Sequence, residues 1–142
     1  MLNKILTNVV VTEAGVARIQ QLLGELVRGV DATAALLVEK SGQMLATEGE
    51  IRGLDTTAIA SLVSASFAST RAVAKLIGEA EFEAMFQQGN RVSVFLYALP
   101  THDILVVIFS DLSKTGLVKV QAQQTARALS EELAQMAVVE EA

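Results

Sequence analysis

The chain has 142 residues, and 51% of them are hydrophobic while only 4% are aromatic, so a single domain with an aliphatic core is expected over residues 1–142, its core spanning about 12–138. A formal charge of −5, with no two basic residues adjacent, argues against nucleic-acid or anionic-membrane binding. The absence of cysteine excludes a disulfide framework, a thiolate metal site and cysteine catalysis, and fits a cytoplasmic setting.

The opening MLNKILTNVVV is interrupted by Thr7 and Asn8 before a secretory-length apolar stretch forms, so no signal peptide is expected. The longest apolar runs, Val94 to Leu99 and Ile104 to Phe109, are far too short for a membrane helix, and no membrane insertion is expected. Thr12 reads as an N-cap, with Val11 placed to staple onto Val16. The helix it opens carries Val16, Ile19, Leu23 and Leu26 at helical spacing and is expected to end at Gly29.

Ala34 to Glu39, the turn Lys40-Ser41-Gly42 and Gln43 to Glu48 read as a first hairpin. Asp55 then caps a long helix that closes at Gly78, where a left-handed conformation is readily tolerated. A strand around Phe82, Ala84 and Phe86, the turn Gln88-Gly89-Asn90 and a strand from Arg91 to Leu99 make a second hairpin. Ile104 to Phe109, apolar throughout, reads as a central strand covered on both faces. A last helix is expected from about Leu117 to Val138, with Val118, Ala122, Thr125, Leu129 and Met136 along its inner side and a fraying polar end after it. The order α-β-β-α-β-β-β-α predicts an α+β fold, one five-stranded antiparallel sheet with helices on both faces.

The helix after Asp55 is the most informative element. At 100° per residue, Ile59, Leu62, Val63, Ser66, Thr70, Val73, Ala74 and Ile77 fall on one side, bordered by Phe67, and are expected to face the core. The opposite side carries Ser61, Ser64, Ala65, Ala68 and Ala72, with Lys75 and, on one flank, Arg71 as its charges. Small residues in i, i+4 register lower the steric barrier to close approach by another helix, which suggests association. The same residues are also ordinary fillers on a helix packed on both sides. Phe82 and Phe86 stand between two roles in the same way, as core residues or as edge-strand contacts for a partner.

Groups that could carry chemistry are sparse. His102 lies in the turn Pro100-Thr101-His102-Asp103 without a second histidine for a metal site or a triad. Ser113-Lys114-Thr115-Gly116 has the residue types of a phosphate loop but neither its order nor its spacing. Glu79, Glu81, Glu83 and the pair Glu131-Glu132 read as solvated faces. No cofactor, metal site or catalytic residue is expected.

The runs Ala35 to Val38 with Lys40 to Ala46, Ser61-Leu62-Val63 with Ala72 to Phe82, Gln88-Gly89, and Leu105 to Asp111 leading to Gly116-Leu117-Val118-Lys119 resemble the Roadblock/dynein light chain family. The likeness spans about Val16 to Leu133 and is strongest to the bacterial MglB-type regulators of Ras-like polarity GTPases. It implies a homodimer in which the third strands pair across a two-fold axis and the long helices lie side by side, offering a surface to a small GTPase. Ser61, Ser64, Ala65, Ala68, Ala72 and Lys75 then become candidates for dimer or GTPase contact, and Phe82, Ala84 and Phe86 for the dimer seam. The implied activity is GTPase activation through the GTPase's own switch residues. A Roadblock scaffold that tethers a GTPase or a motor complex is the alternative; a small-molecule sensor and an independent enzyme are further readings.

Overall fold

The structure, a computed structural model, describes residues 4–6 and 9–136. Its elements are β1 (Lys4–Leu6), β2 (Val9–Val11), α1 (Glu13–Val30), β3 (Ala34–Val38), β4 (Met44–Gly49), α2 (Thr56–Leu76), β5 (Ala84–Gln87), β6 (Ser93–Ala98), β7 (Ile104–Phe109), a short 3-10 turn at Leu112–Lys114, and α3 (Thr115–Gln135). The five main strands form one antiparallel sheet in the order β4-β3-β7-β6-β5. From α1 to α3 the expected succession holds.

Preceding that succession, β1 and β2 pair as a separate two-stranded sheet, with Ile5 opposite Val10. Strands of three residues are too short to show an alternating pattern, which is why this hairpin was not legible. The proposed contact of Val11 with Val16 and the final residues 137–142 lie outside the described side chains.

Local chemistry sets most of the boundaries. The Thr12 hydroxyl accepts from the Gly15 amide at 3.0 Å and opens α1. The helix runs past Gly29 to Val30 and ends at Asp31, which takes the left-handed conformation at φ 55°. Burial of Val30 outweighs the weak helix propensity of the glycine before it, and aspartate tolerates that conformation better than most residues. The Asp55 carboxylate accepts from the Ala58 amide at 3.0 Å, and Gly78 ends α2 at φ 89°.

β7 is central, as its apolar run predicts, and β3 beside it is buried along its whole length. Alternation along these strands feeds two cores. Ala35, Leu37, Leu105 and Val107 join α1 and α3 in the larger one, where Ile19, Leu23, Leu26, Val118, Ala122, Leu129 and Leu133 are buried. Leu36, Val38, Ile104 and Val106 face α2 in the smaller one. The helices therefore lie two on one face of the sheet and one on the other.

Candidate functional site

The candidate surface is built by α2, by the edge strand β5 and by the sheet between them. α2 buries Ala60, Phe67 and Ala74, a seven-residue repeat in which one phenylalanine wedges between two alanines and lets the helix approach Leu36, Val38, Leu96, Ile104 and Val106. Ile59 and Val63 pack beside them, partly buried.

This corrects the expected facing. Leu62, Val73 and Ile77, assigned to the core by their spacing, are 69%, 52% and 66% exposed, and Leu76 beside them is 86% exposed. The helix is turned by about a quarter of a revolution from the expected facing. Large apolar residues occupy about half of its circumference and alanines much of the rest, so periodicity alone does not choose which of them meet the sheet. The choice is made by contacts: the Ser64 hydroxyl donates to the Lys40 carbonyl at 2.9 Å, and the backbone of Gly42 lies close under Ser61 and Ser64. That side of α2 is thereby held toward the turn between β3 and β4.

Ser61, Ala65, Ala68, Ala72 and Lys75 are exposed, as expected for a contact surface, whereas Ser64 is half-buried in the intrachain bond. Adding the exposed Leu62, Val73, Leu76 and Ile77 makes this face far more apolar than the small-residue strip by itself. Arg71, on its flank, does not project freely: its Nε meets the Glu81 carboxylate at 3.4 Å, and His102 Nδ1 reaches the same carboxylate at 3.1 Å. Among the described residues Lys75 has no ion pair.

Between α2 and the β5–β6 side of the sheet lies a groove of about 290 Å³ lined by Ile59, Leu62, Val63, Ser66, Gln87 and Leu96. It opens beside the free edge of the sheet. β5 holds Ala84 and Phe86 but begins two residues later than Phe82, which sits in the connection from α2. Backbone pairing ends where Ala98 N–H meets the Glu83 carbonyl at 2.8 Å, so Phe82 is not on the strand face that its alternation with Ala84 and Phe86 suggested. Ala84 is half-buried against the larger core. Phe86 is 41% exposed and stacks on Phe109 with centroids 6.1 Å apart. Met85, on the opposite face of the same strand from Ala84 and Phe86, packs on the α2 side. The missed residues had a signal in the sequence: Leu76 and Ile77 sit immediately before the terminating Gly78, where a helix end has little sheet left to cover.

Glu39 and Asp103 are buried, and Asp103 accepts from the Lys40 amide at 2.9 Å and the Thr101 hydroxyl at 2.7 Å. Burial raises the Asp103 carboxyl above its ordinary range, against those two hydrogen bonds. Ser113 to Gly116 forms the 3-10 turn and the first residues of α3, with the Asp111 carboxylate capping Ser113 N–H at 3.0 Å. Among the described residues no group of acidic residues and histidine is arranged to hold a metal ion, and no described helix is long and apolar enough to cross a membrane.

A model of the Roadblock/LC7 domain matches residues 18–109. Among solved structures, MglB of Myxococcus xanthus is similar at a TM-score of 0.83 and 29% identity, over 92% of this chain and 97% of that one. The gliding protein MglB of Thermus thermophilus is similar at 0.82 and 28%, over 92% and 99%. An MglB with a tetrameric arrangement is similar at 0.84 and 29%, over 93% and 99%. No curated protein sequence matches. The family pattern runs from within α1 through all five strands of the main sheet, and the chain belongs to the Roadblock/LC7 family.

Proposed function

We propose that this protein is a homodimeric regulator of a small Ras-like GTPase and that it stimulates GTP hydrolysis by repositioning the GTPase's own switch residues. The observation that carries the proposal is the exposed face of α2. Its large apolar residues Leu62, Val73, Leu76 and Ile77 and the small Ala65, Ala68 and Ala72 have hardly a charge among them, beside an unpaired edge strand. In water such a face favours association, and a second copy pairing along β5 would extend the sheet and bring the two α2 helices together. The likeness to MglB structures at 28–29% identity, one of them in a tetrameric arrangement, supports self-association, and it agrees with the resemblance of the sequence to MglB-type regulators of Ras-like GTPases.

The engagement of Arg71 with Glu81 favours switch repositioning over an inserted arginine finger. The regulator then selects the hydrolysis-ready conformation of its partner, by differential affinity for that state. The same engagement also suits a second reading, a scaffold that binds a GTPase or a motor complex without accelerating hydrolysis. Single-turnover GTP hydrolysis by the Ras-like GTPase of the same genome, with this protein in stoichiometric excess, separates the two. Acceleration supports the activator. Binding without acceleration supports the scaffold, and no binding removes the GTPase from the proposal.

A further inference from the structure

On the opposite face of the sheet from α2, the flank of α3 and the end of β6 enclose a groove of about 380 Å³. Gln123, Arg127 and Ser130 line it from α3, one helical turn apart along one flank, with Ala126 between them. Tyr97 and Pro100 line it from β6 and the turn that follows. The lining is rich in donors, with a guanidinium, a carboxamide and two hydroxyls, and it contains no carboxylate.

Two of these groups lack partners among the described residues. Arg127 makes no ion pair within 4.0 Å among the described residues. The Ser130 hydroxyl oxygen is buried and has no hydrogen-bond partner among the described residues. A buried hydroxyl left without a partner is destabilising, and a helical serine ordinarily avoids that cost by bonding the carbonyl one turn back. Here the unsatisfied hydroxyl is buried in the wall of a groove whose cation is also unpaired among the described residues. An incoming acceptor with negative charge pairs with the cation, and a turn of the Ser130 side chain about its Cα–Cβ bond, which breaks no hydrogen bond, brings the hydroxyl to the same acceptor.

We propose that this groove binds a carboxylate. Arg127 supplies the charge and a planar pair of donors, Gln123 and Ser130 donate to the same carboxylate, and the Tyr97 ring with Pro100 packs against the aliphatic stem behind it. The volume suits one small acid or one acidic side chain of a peptide rather than a larger ligand. With a formal charge of −5 on the whole chain, the attraction is local to Arg127 rather than long-range. The site lies away from α2 and stands or falls independently of the regulator proposal.

The test is an amide-resonance titration of the full chain with glutarate, with the blocked peptide acetyl-Ala-Glu-Glu-Ala-amide, and with its Gln-Gln counterpart as a neutral control. Saturable shifts at Gln123, Arg127 and Ser130 with either acid, absent with the neutral peptide and weakened on the order of tenfold by Arg127→Gln, are expected. Saturation by glutarate as tight as by the peptide identifies a free acid as the source, and saturation by the peptide alone identifies a protein side chain. A thermal melt confirms that the variant is folded. Shifts scattered over the surface, no saturation with either acid in the millimolar range, or an affinity indifferent to Arg127→Gln would overturn the proposal.

Discussion

Glu39 and Asp103 occupy facing positions one step beyond the Val38–Ile104 pair that ends the β3–β7 ladder, and both are buried, at 3% and 5% exposure. Two carboxylates so placed repel each other, and the negative charge of Glu39 adds to the effect of burial in raising the Asp103 carboxyl. Because its folded pKa lies above its unfolded one, the unfolded chain gives up this proton first. The Asp103 contribution is then most favourable below the ordinary value of 3.8 and diminishes as pH rises through the folded pKa. Asp103→Asn removes that dependence. Urea unfolding across the acid range should show wild-type stability losing ground to Asp103→Asn with rising pH; parallel curves would mean that the carboxyl is not shifted upward in the fold.

Phe67 is the one large residue buried by α2, wedged between Ala60 and Ala74. Phe67→Ala should lower unfolding free energy by about 3–5 kcal/mol, because the small core beneath α2 has little else with which to fill the space. Denaturant titration measures it. A loss under about 1 kcal/mol would mean that α2 is held by other contacts.

Leu76 and Ala68 are exposed, so Leu76→Asp and Ala68→Arg should each change stability by no more than about 0.5 kcal/mol. A long cation cannot enter a closely packed seam of small residues, and a buried aspartate there would lack a partner. Sedimentation velocity should therefore show loss of self-association, and a binding assay loss of GTPase affinity, in folded protein. Normal assembly and normal GTPase binding in both variants would assign the surface elsewhere.

Arg71 is tied to Glu81. If stimulation works through the GTPase's own residues, Arg71→Ala should retain it to within a few-fold, whereas removal of an arginine finger costs about 10³–10⁵ in rate. Single-turnover hydrolysis with the variant distinguishes the two mechanisms.

Gly49 ends β4 at φ 94°, and a Cβ built there would lie 2.5 Å from the Thr33 carbonyl oxygen and 2.8 Å from the Ala34 Cα. Both obstacles are backbone, and neither can swing aside. Gly49→Ala should cost about 2 kcal/mol or more, read as a lowered unfolding midpoint; an unchanged midpoint would show that the β3–β4 end can shift to make room.

The candidate surface was half legible in the sequence. Ser61, Ala65, Ala68 and Ala72 announce an uncharged helix face by composition alone, and the structure leaves them exposed. Leu62, Val73 and Ile77 were misassigned to the core because their spacing is equally good for a face that meets another molecule. Phe82 alternates with Ala84 and Phe86 as a strand residue would, but the ladder stops at Glu83.

What the sequence determined by itself is the order of elements from α1 to α3 and most of their ends, since caps such as Thr12 and Asp55, the left-handed Gly78 and the unbroken apolar run of β7 act through neighbours in the chain. What only the tertiary structure decided is which face of α2 meets the sheet, where the β5 edge begins and that Glu39 comes to stand opposite Asp103. Each of these depends on groups distant in sequence, and a helix apolar over most of its circumference acquires a facing only when a sheet is placed against it.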